Sequence, residues 1–257
     1  MNTDPINTAG LTPAEASLAD ESLSGTVSQP AALAATSPVA GALRHITCYL
    51  DFISPYACLA FEALPEALRG ISYRLTYQPV LLGALLKHHG QLGPAEIPAK
   101  RDWTYRQVLW LARSQGVELQ MPASHPFSPL PLLRLALACS SEREPAATNR
   151  YVCETLFRHV WHGGAEALDP TRLQALTESL APRRDVNGDD VKAQLKRNTD
   201  EAITQGVFGV PAFVVDGKLF WGLDALPMLR AYLLGDAWFD GPDWQAGASV
   251  KDGLKRR

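Results

Sequence analysis

Apolar positions follow two different rhythms along this chain. HITCYLDFI, from His45, is dense in β-branched and aromatic residues and reads as a strand. ISYRLTYQPV over 71–80 alternates like a second strand that Pro79 ends. Between them, Ser54 and Pro55 supply a helix cap and a favoured first helical residue, predicting a helix over 55–69 that stops by Gly70. From residue 81 the spacing becomes helical. LLGALLKHHG, PAKRDWTYRQVLWLARSQG, LPLLRLALACS, PAATNRYVCETLFRHVWHGG and DPTRLQALTESLA each carry helical apolar spacing or cap residues. Leu132, Leu133, Leu135, Leu137, Tyr151, Leu156, Phe157 and Trp161 are the expected core faces. Residues 187–206 form a further helix, capped by Asn187 or Asp189 and ended by Gly206. VPAFVV and KLFWG flank Asp216-Gly217, the two-residue signal of a type I′ hairpin. An amphipathic helix over 223–235 closes the pattern, and residues 237–257 read as a tail.

The order is strand–helix–strand, a long helical stretch, then a hairpin and a helix. A crossover helix implies parallel strands, and strands at both chain ends imply one mixed sheet. The expected class is α/β, a thioredoxin-like fold with a large all-helical insertion. Its boundaries are 44–80 and 207–236 for the thioredoxin-like part and 81–206 for the insertion.

Composition changes this picture mainly at the N-terminus. Residues 1–43 are rich in Ala, Ser, Thr, Pro and Gly, and Arg44 is the first basic residue. With no aromatic side chain to offset ordering entropy, this stretch is expected to be a disordered extension. A short helix over 11–23, capped at Thr12, is its one structured option. The absence of an arginine or a positive first region gives it neither signal-peptide nor transit-peptide character. Across all 257 residues, 46% are hydrophobic and the net charge is −3. That suffices for a substantial core and leaves no basic footprint for nucleic acid. No apolar run reaches the roughly 18 residues of a membrane span. Cys48, Cys58, Cys139 and Cys153 form no C-x-x-C pair and no zinc spacing, so they read as reduced, mostly buried thiols of a cytoplasmic protein.

Two segments could carry chemistry. Ser54-Pro55-Tyr56 sits where a strand feeds a helix, and a helix start can stabilise an anion, a thiolate included. By itself, Ser-Pro there is an ordinary cap. Val210-Pro211 opens a strand, where proline sacrifices no ladder bond. In a thioredoxin-like sheet such a proline is usually cis and faces the first helix, leaving the Val210 backbone free to pair with an extended peptide.

DFISPYACLAFEAL, QPVLLGALLKHHG and NTDEAITQGVFGVPAFVVDGKLFWGLDAL, with the helices between them, resemble the 2-hydroxychromene-2-carboxylate isomerase family. That family is related to kappa-class glutathione transferases and DsbA-like oxidoreductases. The resemblance spans roughly residues 45–235. It implies glutathione as cofactor, a small aromatic-derived acid as substrate and a homodimer, with no nucleic acid or membrane partner. It also implies roles by position. Ser54 would hydrogen-bond the glutathione sulfur as the catalytic residue, with Tyr56 beside it. Val210, before Pro211, would pair with the cysteinyl backbone. Asp224, after Leu223, would take the γ-glutamyl amino end. Gln91 and Lys100 would lie near the glutathione and substrate site.

Several positions depart from the family pattern. Gln91 stands at a common Asn, Trp103 at a common Tyr, Ser128 at a common Asn and Leu223 at a Ser frequent in kappa transferases. These departures concern the substrate more than the sulfur. A thiol oxidoreductase would need cysteines at 54 and 57, where Ser and Ala stand. His88-His89 diverge on a helix and lack evident metal partners, and Ser54 lacks the G-x-S-x-G setting of a hydrolase. Trp103, Trp110 and Trp161 are expected in helical core. The expected function is glutathione-dependent cis–trans isomerisation. A kappa-type glutathione transferase and a non-catalytic thioredoxin-like binding module are the alternatives.

Overall fold

The structure, a computed structural model, describes residues 43–251 and 253. The expected extension over 1–43, with its helix at 11–23, lies outside the described residues except for Leu43. Strand β1 (Arg44–Leu50), helix α1 (Pro55–Ala67) and strand β2 (Tyr73–Pro79) form the expected crossover unit, with β1 and β2 parallel. Six α-helices follow before the sheet resumes. They are α2 (Leu82–His88), α3 (Pro98–Gln115), α4 (Leu130–Ala138), α5 (Arg150–Trp161), α6 (Pro170–Leu180) and α7 (Asp189–Thr204). Strands β3 (Ala212–Val215) and β4 (Lys218–Trp221) complete a mixed sheet of order β2-β1-β3-β4, with β3 antiparallel to both neighbours. Asp216 and Gly217 both take positive φ, 48° and 74°, as a type I′ turn requires.

Strand β1 is central and covered on both faces over its second half, which explains why Cys48, Tyr49 and Leu50 are consecutively apolar and buried. Ile46, Cys48 and Leu50 enter the main core, whereas Tyr49 packs on the other face with Val80, Leu85 and Val207. The main core continues without interruption from the sheet into α4 and α5, through Leu133, Phe157 and Trp161. Burying each such large side chain contributes about 1.5–3 kcal/mol. Phe52 and Phe157 meet edge to face, 5.0 Å between centroids. Helix α7 is anchored to the sheet by buried Asn198, whose Nδ2 donates to the Pro79 and Ala146 carbonyls at 3.0 and 2.7 Å. One residue on, the Thr199 hydroxyl accepts the Leu81 N–H, so α7 fixes the junction between β2 and α2.

Four expectations need correction. Tyr151, Trp103 and Trp110 are exposed, each by about two thirds, because α3 and α5 turn smaller neighbours such as Val108, Ala112 and Val152 inward. The cap of α7 is Gly188, without a side-chain bond, and Asp189 and Asp190 instead face the positive end of the helix dipole. The closing helix begins as a 3-10 turn, Leu223–Ala225, and continues as α8 (Leu226–Leu233). The expected tail is folded over much of its length. A 3-10 turn at Ala237–Asp240 and helix α9 (Pro242–Ala248) bring Phe239 and Trp244 against Phe220 and Tyr232.

Candidate functional site

A cleft of about 1120 Å³ opens between the start of α1, the stretch from α2 into α3, and the loop entering β3. Ser54 stands at its floor, extended at φ −89° and only 6% exposed. Its hydroxyl caps α1 by accepting the Ala57 N–H at 3.2 Å and donates across the cleft to the Val210 carbonyl at 3.5 Å. Pro55 brings no N–H, so the helix start presents the Tyr56 amide next to the hydroxyl. Opposite, the Val210–Pro211 bond is cis, and the β1–β3 ladder begins only at Ala212. The Val210 backbone therefore lies outside the sheet's hydrogen bonding, at the cleft wall.

Asp51 braces this arrangement from below. Its fully buried carboxylate accepts the Ile53 N–H at 3.2 Å and the Leu82 N–H at 2.9 Å, tying the turn before Ser54 to the first residue of α2. Burial pushes its pKa up to about 7, outweighing the backbone donors at Leu82, Ile53 and Phe52. Trp161 adds a second brace, its indole Nε1 donating to the Phe52 carbonyl at 3.0 Å.

Seven of the eight residues expected at the site line the cleft: Ser54, Tyr56, Gln91, Val210, Pro211, Leu223 and Asp224. The Tyr56 hydroxyl donates to Gln107 Oε1 at 2.7 Å, and burial raises its pKa. Asp224 is exposed in the 3-10 turn that Gly222 opens at φ +97°. A side chain on Gly222 would run into the Asp224 carboxylate, so glycine there leaves the acid its place. Lys100 is exposed in the first turn of α3 and is not part of the lining. Trp103 and Ser128 are likewise absent from the wall, so the departures noted at those positions do not change its surface.

The structure adds wall residues that sequence reasoning passed over. Trp221 packs against Phe208 as a tilted pair, 4.8 Å between centroids, and its Nε1 approaches Gly209 so closely that a Cβ there would lie 2.9 Å away. On the α3 side, the His125 ring bridges two elements. Nε2 lies 2.9 Å from the Ile53 carbonyl, and Nδ1 lies 2.7 Å from the Tyr105 hydroxyl, which is also 3.0 Å from the His125 carbonyl. Burial lowers the His125 pKa and raises that of Tyr105. Within HPFSP it is His125, not Ser128, that faces the cleft.

Other nucleophiles are out of reach. Cys58 follows the Ser54 turn but is buried, and desolvation drives its thiol pKa far up. Cys48 is pushed up to about 12 by the same cause. Among the described residues, no group of three or more His, Cys, Asp or Glu could hold a metal ion. No helix among them is long and apolar enough to cross a membrane.

Residues 45–234 match the family model described as the DSBA-like thioredoxin domain. The 2-hydroxychromene-2-carboxylate isomerase of Sphingobium xenophagum is 27% identical over 199 residues, covering 74% of this chain and 98% of that protein. Glutathione S-transferase kappa 1 of Rattus norvegicus is 26% identical over 216 residues, covering 77% and 94%. Among solved structures, a 2-hydroxychromene-2-carboxylate isomerase superimposes with a TM-score of 0.63 at 20% identity, over 80% of this chain and all of that one.

Proposed function

We propose that this chain, which belongs to the DSBA-like thioredoxin-domain family, is a glutathione-dependent cis–trans isomerase of 2-hydroxychromene-2-carboxylate-like acids from aromatic catabolism. One observation carries the reading. A serine hydroxyl at a helix start faces a cis-proline loop at 3.5 Å, with no cysteine on that turn to make it a disulfide catalyst. That is a holder for another molecule's thiolate. The donor set fits glutathione, because the Val210 backbone is outside the ladder and the Asp224 carboxylate is exposed in the same cleft.

In this reading Ser54 and the Tyr56 amide stabilise the sulfur anion. The Val210 backbone pairs with the cysteinyl residue beside Pro211, and Asp224 takes the γ-glutamyl ammonium. Gln91 and Leu223 frame the tripeptide. Lys100, outside the wall, serves a glutathione or substrate carboxylate only by swinging its long side chain inward. Bound glutathione would supply a thiolate that adds reversibly to the conjugated carbon of the substrate, making a double bond rotatable. The chain itself holds that sulfur charged, orients it and walls the cleft with Phe208, Trp221 and Leu223. We further assign the protein to a reducing cytoplasm, in keeping with its four free cysteines, and to a homodimer.

The test follows the ultraviolet spectrum of 2-hydroxychromene-2-carboxylate with and without glutathione. Conversion that requires glutathione without consuming it supports the reading, and equal turnover without it refutes the cofactor assignment. The kappa-transferase relatives favour one second reading, glutathione conjugation. Product mass separates the two, since isomerisation leaves it unchanged.

A further inference from the structure

We propose that Tyr105 is a catalytic residue whose hydroxyl, backed by His125 as its positioning partner, carries the proton that opens the cyclic form of the substrate. The proposal rests on the isomerase reading and deepens it.

The hydrogen-bond geometry fixes the direction of the pair. A carbonyl can only accept, so His125 Nε2, 2.9 Å from the Ile53 oxygen, bears a hydrogen. Burial holds the ring's pKa below its ordinary value, so the ring is neutral near pH 7 and Nδ1 is bare. Nδ1 therefore accepts the Tyr105 hydroxyl at 2.7 Å, leaving the phenol oxygen as an acceptor toward the cleft both residues line. Once the ring is protonated, Nδ1–H donates to the same oxygen. The Tyr105 proton then has the His125 carbonyl, 3.0 Å away, as its alternative acceptor. Both protonation states are thus hydrogen-bonded without rebuilding, and the Ile53 link places the relay one peptide from Ser54.

The charged group facing Tyr105 is Arg101 on its own helix. From α5 the ring meets Trp161 at 5.5 Å, and along its own loop Phe127 at 6.0 Å. Apart from Tyr105, the ring's contacts are thus aromatic faces and a carbonyl, which makes Nδ1 the proton store.

A 2-hydroxychromene carries its hydroxyl and its ring oxygen on one carbon, as a cyclic hemiketal. Opening it needs one proton removed and one returned. The hydroxyl proton passes to Tyr105 as the Tyr105 proton passes to His125 Nδ1. The freed O–H electron pair forms the C=O bond, the ring C–O bond breaks, and its pair stays on the phenol oxygen. His125 then returns its proton through Tyr105 to that oxygen. No proton or electron is gained or lost.

The test uses the full chain, its Tyr105→Phe and His125→Gln variants, and 2-hydroxychromene-2-carboxylate at saturating glutathione. Both variants should bind glutathione with parental affinity by calorimetry. Both should lose roughly 10²-fold in kcat, the usual scale of general acid–base help. Beside the acid limb that protonation of the bound thiol gives in every protein, the parental kcat should show a second fall as His125 protonates, and this second limb should be absent from both variants, which a bracing role alone would not cause. A parental kcat whose acid side shows the thiol limb alone overturns the proposal without any variant. So does a Tyr105→Phe protein with parental kcat and the second limb intact. A parent that leaves the substrate unchanged overturns the isomerase reading and this proposal together, whereas parental turnover with an unaffected variant overturns only the proposal.

Discussion

The Ser54 hydroxyl donates to the Val210 carbonyl at 3.5 Å, joining residues 156 positions apart. The contact is long for a hydrogen bond, so the hydroxyl is held there weakly and can turn to another acceptor. Its firmer duty is the cap of α1 through the Ala57 N–H. One oxygen therefore belongs both to the fold and to the cleft.

Replacing it separates those duties. Ser54→Ala should cost about 0.5–2 kcal/mol in unfolding free energy through the lost cap. It should lower kcat by roughly 10–100-fold, the worth of a hydrogen bond to a charged sulfur at about 1.5–3 kcal/mol. Urea denaturation and initial rates check both. Parental kcat in the variant would remove Ser54 from the chemistry.

Asp51 makes stability depend on pH. Its folded pKa, about 7, lies above the unfolded carboxylate value near 3.9, so the folded state binds more protons between those limits. The stability this group contributes is full at the acid end and declines as pH rises toward 7. Asp51→Asn should flatten that part of the profile. Urea midpoints at about pH 5 and 8 for both proteins measure it, and parallel profiles would show that Asp51 does not titrate in that window.

Gly222 protects the place of Asp224. Alanine there must adopt φ +97° and meet the Asp224 carboxylate, so it should displace the acid. Glutathione affinity should fall roughly 10–100-fold, the worth of one lost hydrogen bond between charged groups at about 1.5–3 kcal/mol, with kcat at saturation changed far less. Calorimetric titration and steady-state kinetics distinguish this from a general loss of folding. Unchanged affinity would argue that Asp224 does not hold the ammonium.

Trp161→Phe should orphan the buried Phe52 carbonyl that its indole satisfies. An unsatisfied buried acceptor costs about 1–3 kcal/mol, beyond the smaller volume of the new ring. Thermal unfolding reads it, and an unchanged midpoint would mean that another donor reaches Phe52.

Much of this architecture was legible in local chemistry. Ser54-Pro55, Asp216-Gly217 and Gly206 each state a backbone preference that the neighbours do not override. Helix rotation was not legible. Trp103 and Trp110 are the largest apolar side chains of α3, yet Val108 and Ala112 are its buried side, because small residues let that helix approach its neighbours. The end of the chain misled through its Lys/Arg terminus. DAWFDGPDW carries both an Asp236 cap, accepting the Trp238 N–H at 2.9 Å, and the aromatic residues that pack on Phe220. In the cleft, Ser54 and Val210 stand on elements with strong local signals. Tyr105 and His125 are joined only by the path of the chain between α3 and α4, which no spacing rule records.

In the proposed function, Ser54 at the start of α1, opposite Val210, holds the glutathione sulfur as a thiolate. The most direct measurement is a pH titration of the ultraviolet thiolate absorbance of glutathione bound to the parent protein and to Ser54→Ala. The expected result is a bound thiol pKa at least about one unit below that of free glutathione, as thiols at helix starts show, and a return toward the free value in the variant. A bound thiol that titrates like free glutathione in the parent would contradict it.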